Sequence, residues 1–156
     1  LSLRRQRQMC IRDRFFDSFA RPKTLMLNNY APAWQQRYRE QDYLAIDPTV
    51  AHGVRSRASL VWRREVFEAT PLFWSEAREA GLRVGWAQSS FDPDGSIGML
   101  TLARSREVLS AAELLGRGAQ MQWLADAAHF HLSEALWPDQ HRVYPALTAR
   151  ELDVLR

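Results

Sequence analysis

The stretch NNYAPAWQQRYREQDYLAIDPTV, residues 28–50, brings Tyr30, Trp34, Tyr38 and Asp47 close together in the chain. Three of these side chains join an aromatic ring to a polar handle, and the fourth is a carboxylate that only accepts hydrogen bonds. The chemistry open to such a set is recognition rather than bond making. They are either core and helix-cap residues or the lining of a pocket.

Other reactive combinations are missing. His129 and His131 lie two apart on an expected helix and diverge by about 200°, so they cannot chelate one metal as an i, i+4 pair could. His52 and His141 are isolated, and all four read as solvated or core histidines. The sequence has no G-x-S-x-G elbow, P-loop or Cys/His framework, and the glycines near 95–98 are too sparse for a dinucleotide loop. It offers no catalytic residue and no cofactor or metal site, so the chain is not read as an enzyme.

The elements that must position the aromatic cluster follow from local signals. A short strand is expected around Thr24–Leu27, and a polar helix from Ala33 to Tyr43 stacks Trp34 and Tyr38 on one face. Asp47-Pro48 is a cap-and-proline start for a short helix from Thr49 to about Val54. SLVWRR, residues 59–64, is a strand candidate. Thr70-Pro71 repeats the cap-and-proline start for a helix that stops at Gly81.

Residues 82–104 read as a β-hairpin turning at Asp92-Pro-Asp-Gly95. Ser110-Ala-Ala-Glu113 matches a capping box and opens the longest helix, to about Leu136, with Leu114, Leu115, Met121, Leu124, Ala125, Ala128, Leu132 and Leu136 as its buried stripe. Trp123, Phe130 and Trp137 fall largely off that stripe and suggest a second packing surface, such as a subunit contact. Helices interleaved with hairpins favour an α/β fold of the α+β type, with a central, mostly antiparallel sheet and helices on one or both faces.

The 156 residues fit one domain, and the apolar share of 46% with 25% charged residues is ordinary for a soluble protein. No apolar run approaches the ~20 residues of a membrane span, so a cytoplasmic protein is expected. The lone Cys10 cannot form an internal disulfide.

The formal charge of +3 is misleading, because Arg4, Arg5, Arg7, Arg12 and Arg14 against Asp13 put +4 in the first fourteen residues and leave the rest at −1. Residues 1–14, LSLRRQRQMCIRDR, look like translated adapter sequence and are read as a non-native segment outside the fold. A basic arm that binds nucleic acid is the competing reading.

The spacing N-Y-x-P-x-W-x3-Y-x8-D-P, followed by Trp62, resembles the autoinducer-binding domain of the LuxR family of quorum-sensing transcription factors. ARPKT near residue 20, LFWSEAREAGL at 72–82, GSIGMLTL at 95–102 and LTARELDVLR at 147–156 extend the resemblance. It implies a signal-binding domain over residues 15–138, a linker over 139–147, and the truncated start of a helix-turn-helix DNA-binding domain over 148–156. It also implies an α-β-α sandwich, the sheet flanked by helices; the family normally has further helices and a first edge strand before the ARPKT-like segment, and here the arginine-rich stretch takes that place, so the edge strand is expected to be missing. The chain therefore reads as a fragment.

The ligand this implies is an N-acyl homoserine lactone. By resemblance, the Trp34 indole N–H suits the lactone carbonyl and Asp47 the amide N–H, while Tyr30 and Thr101 carry hydroxyls for the amide carbonyl. Trp62 and Phe67 pack around the ring, and Tyr38 lies along the head and the start of the tail. Val50, Phe73, Ile97, Met99, Ala77 and Leu82 are candidates for the acyl wall.

The implied partners are the small-molecule autoinducer, a second copy in the full-length protein, and DNA through the missing C-terminal domain only, with no membrane. Two alternatives stay open: an orphan sensor that binds another small lipid-like ligand or folds without one, and an enzyme acting on acyl lactones, for which no nucleophile or metal set can be named.

Overall fold

The computed structural model describes residues 8–15, 23–93 and 95–136. Two strands, β1 (Gln8–Phe15) and β2 (Lys23–Asn28), are followed by three short helices: α1 (Pro32–Glu40), α2 (Tyr43–Ile46) and α3 (Pro48–Gly53). Then come β3 (Leu60–Val61), a 3₁₀ turn (Arg64–Phe67), α4 (Pro71–Glu79), the hairpin β4 (Val84–Phe91) and β5 (Ile97–Arg104), and α5 (Ala111–Leu136). The strands form one antiparallel sheet in the order β2-β1-β5-β4-β3. This is the α+β architecture expected from the sequence.

The period-two alternation of strands divides the sheet into two faces. On β5, Leu100 and Leu102 join Trp86 of β4 and Ile11 of β1 in a core against α5, which contributes Leu114, Met121 and Ala125. Ala103 and Cys10 face the other way, into a core with Tyr30, Trp34, Tyr38, Tyr43, Phe67 and Phe73 from the loops and short helices. The opening aromatics therefore share the face opposite α5. The long helix backs the sheet that carries the site.

Residues 8–14, left outside the fold by the sequence reading, form most of β1, which pairs with β2 on one side and β5 on the other. Its run of arginines conceals a strand whose Cys10 is fully buried. The strand expected over 59–64 is confined to Leu60–Val61, although Trp62 N–H still donates to Gly85 O before the chain turns into the 3₁₀ segment. The polar helix expected as far as Tyr43 breaks at Gln41-Asp42, where Asp42 adopts a left-handed φ of 48°, and restarts as α2.

Helix ends follow local chemistry. Asp47 caps α3 through Thr49 N–H, and Ser110 Oγ accepts from Glu113 N–H at the start of α5. Thr70 precedes Pro71 as expected, but its side chain makes no capping bond. Helix α4 closes with Leu82 N–H donating to Ala77 O and Gly81 N–H to Arg78 O, Gly81 taking a φ of +87°, the Schellman arrangement.

The buried stripe of α5 is rotated from the expected one. Leu115 is 87% exposed and Leu124 is 40% exposed, whereas His129 and Ser133 are buried. The reason lies on the sheet, because a Cβ at Gly98 would come within 2.4 Å of the His129 ring, so the glycine leaves the space the imidazole fills. Trp123 and Phe130 do project outward. Trp137, the linker over 139–147 and the helix-turn-helix start over 148–156 lie outside the described residues.

Candidate functional site

Helix α1 presents Trp34 and Tyr38 inward one turn apart, and α2 adds Tyr43. Their rings meet Phe73 of α4 in an edge-to-face and tilted cluster, with Trp34–Tyr38 centroids 6.0 Å apart, Trp34–Phe73 6.0 Å and Tyr43–Phe73 5.0 Å. A second group joins it: Phe67 stacks on Trp74 at 4.2 Å and 3°, and Trp62 stands edge-on to both. The Trp62 ring lies against Gly85, where a Cβ would approach it to 2.3 Å.

Polar contacts hold these helices in register. Glu76 of α4 accepts two bonds from the Arg37 guanidinium, at 2.8 and 2.6 Å, and one from the Tyr43 hydroxyl at 2.6 Å. The bonds from Arg37 and then Tyr43 hold the Glu76 carboxyl down at about 2, below its ordinary 4.5. Burial, then the bond to Glu76, pushes the Tyr43 phenol up.

Asp47 is the polar centre of the site and only 3% exposed. Its Oδ1 accepts from Thr49 N–H at 2.9 Å and from the Thr49 hydroxyl at 2.6 Å, and its Oδ2 accepts from the Tyr38 hydroxyl at 2.9 Å. A helix cap needs only the first of these bonds. The bond from the Tyr38 hydroxyl ties the other carboxylate oxygen to the aromatic cluster.

The sequence-derived residues fall into two spaces. Tyr30, Trp34, Tyr38, Asp47, Trp62, Phe67 and Phe73 line the first, with Thr49, Trp74, Ala77 and Leu82; it holds about 10 Å³, room for about one water. Val50, Ile97 and Met99 line the second, an open cleft of about 480 Å³ that also includes Gly53 and Arg55. Asp47 lines both. Phe73, Ala77 and Leu82, expected along an acyl wall, belong instead with the aromatics.

Thr101 lines neither space but is 1% exposed on the same sheet face, and its hydroxyl has no hydrogen-bond partner among the described residues. The Trp62 indole N–H is likewise buried and unpartnered among them. Sequence reasoning missed Tyr43, Thr49 and Trp74. Tyr43 and Thr49 lie within the stretch 28–50 and Trp74 adjoins Phe73, so proximity in the chain to the chosen residues was the available signal. Among the described residues no cluster of His, Cys, Asp or Glu could hold a metal ion, and no helix is long and apolar enough to cross a membrane.

An aromatic chamber meeting an apolar cleft at one buried carboxylate defines a small-molecule binding domain. The autoinducer binding domain family matches residues 8–132. The transcriptional activator AnoR of Acinetobacter nosocomialis is 46% identical over 144 residues, covering 89% of this chain and 60% of that protein. The transcriptional activator SolR of Ralstonia nicotianae is 38% identical over 140 residues, covering 87% and 58%. The crystal structure of Escherichia coli SdiA superposes with a TM-score of 0.69 at 28% identity, covering 96% of this chain and 63% of that one.

The chain belongs to the autoinducer-binding domain family of LuxR-type quorum-sensing regulators. These are transcriptional regulators, not enzymes. The chain spans about three-fifths of the length of the first curated relatives it matches.

Proposed function

We propose that this domain binds an N-acyl homoserine lactone, with the lactone head among the aromatics and the acyl tail in the cleft. The observation that supports this most is Asp47, which borders both spaces. An amide joins head to tail in such a ligand, and a carboxylate at the junction is the acceptor its N–H requires. Trp34 donates to the lactone carbonyl, Tyr30 and Thr101 serve the amide carbonyl, Trp62 and Phe67 flank the ring, and Val50, Ile97 and Met99 contact the tail. The N-acylhomoserine lactone-dependent LuxR-family factor CepR2 of Burkholderia cenocepacia superposes at a TM-score of 0.66 and 27% identity, which supports the ligand class.

A head larger than one water requires the touching rings to part. Ring pairs of this kind contribute about 0.5–1.5 kcal/mol each, so the ligand must replace contacts as well as add them. Occupancy then stabilises the folded domain by mass action. On this reading two copies pair in the longer regulator and hold two helix-turn-helix heads on DNA, in the cytoplasm.

A second reading, a domain that folds without ligand, is favoured by an aromatic chamber whose own rings already fill all but about 10 Å³. Thermal unfolding with a panel of acyl-homoserine lactones separates the two. At one hundred times Kd a ligand adds about 2.7 kcal/mol, or roughly 5–10 °C for a domain of this size. No shift with any lactone rejects the first reading.

A further inference from the structure

Two hydroxyls on the site face of the sheet are buried without a hydrogen-bond partner among the described residues, Thr101 Oγ1 and Ser89 Oγ. Ser89 is 2% exposed and stands on β4 directly opposite Met99 of β5. Both side chains fill the space left bare by Gly53: a Cβ there would lie 2.7 Å from Ser89 Oγ and 2.6 Å from Met99 Sδ. Gly53 and Met99 line the open cleft. The Ser89 hydroxyl therefore lies directly behind Gly53 and Met99 of the cleft lining, desolvated, in a position that an apolar tail leaves unsatisfied.

A buried hydroxyl with no partner costs about 1–3 kcal/mol. Thr101 is opposite Ala87 in the ladder, two residues from Ser89, so the two hydroxyl-bearing residues are diagonal neighbours about 7–8 Å apart. One O–H···O bond of about 2.8 Å from each, inclined to the line between the two residues, leaves a few ångströms between the oxygens they reach. That is the separation of oxygens on the first and third carbons of an acyl chain.

Resting on the ligand class proposed above, we propose that Ser89 is a specificity-determining residue that recognises an oxygen substituent, carbonyl or hydroxyl, on the third acyl carbon. A serine hydroxyl donates and accepts, so it serves either oxygen. An unsubstituted chain leaves it orphaned.

Calorimetric titration of the 156-residue chain with three acyl-homoserine lactones of one chain length (3-oxo, 3-hydroxy and unsubstituted) tests this. The wild type binds at least one oxygenated ligand about five- to tenfold more tightly than the unsubstituted one. Ser89→Ala removes that preference and does not weaken binding of the unsubstituted ligand. Equal affinities in the wild type, or a preference that survives in Ser89→Ala, overturn the assignment to Ser89 while leaving the ligand class standing. Binding of none of the three overturns the ligand class and this assignment together. Should Ser89→Ala not fold, Ser89→Cys, with a weak donor in similar volume, must show a reduced preference, and an undiminished one overturns the proposal.

Discussion

Replacing Asp47 with asparagine separates a binding carboxylate from a helix cap. Asparagine caps a helix as well as aspartate does, and its one carbonyl oxygen can keep the contacts that Thr49 N–H and hydroxyl make with Oδ1 at 2.9 and 2.6 Å. The Tyr38 hydroxyl, now 2.9 Å from Oδ2, can turn to accept from the new amide. The ligand-free chain therefore loses only the difference between charge-assisted and neutral bonds, about 1 kcal/mol.

An amide N–H of the ligand cannot make the same adjustment, because it meets a donor where it needs an acceptor. A charge-assisted bond worth about 1.5–3 kcal/mol is lost, and a desolvated N–H is left behind, so affinity falls roughly 30- to 1000-fold. Urea unfolding of the ligand-free protein gives the first quantity and calorimetric titration the second. Equal losses in the two experiments would refute the reasoning and leave Asp47 as a cap.

Three further outcomes follow from named contacts. Thr101→Val removes a buried, unpartnered hydroxyl at similar volume, so unfolding experiments should find the ligand-free chain unchanged or stabilised by up to ~1 kcal/mol while lactone affinity drops about fivefold. Gly85→Ala drives a methyl to 2.3 Å from the Trp62 ring, and denaturant midpoints should fall by an amount equal to about 1–3 kcal/mol with lactone binding lost. Glu76 has a folded-state carboxyl pKa lowered to about 2 from 4.5, so its contribution is present above pH 4.5 and is lost as pH falls toward 2; acid unfolding monitored by circular dichroism should show Glu76→Gln lacking that part of the decline.

Much of this site was legible because its signals are local. Trp34 and Tyr38 one helical turn apart, Asp47 before a proline, and the Asp92–Gly95 turn each depend on a few residues of sequence. What depends on distant partners was not legible. The arginine-rich segment becomes strand β1 because β2 and β5 flank it, and nothing in its own composition says so. The face of α5 is chosen by Gly98, thirty-one residues before His129, which admits an imidazole where the leucine pattern pointed elsewhere. Phe73 joined the aromatics because its ring packs on Trp34, Tyr38 and Tyr43, thirty or more residues earlier in the chain. The split into a small aromatic chamber and a much larger cleft is likewise a property of packing, invisible to spacing alone.

A crystal structure of the chain with an N-acyl homoserine lactone tests the central claim most directly. The expected result places the lactone carbonyl within hydrogen-bond distance of Trp34 Nε1, the amide N–H on the Asp47 carboxylate, and the acyl chain along Val50, Ile97 and Met99. A ligand bound elsewhere on the domain, with the aromatic rings still in mutual contact, would contradict it.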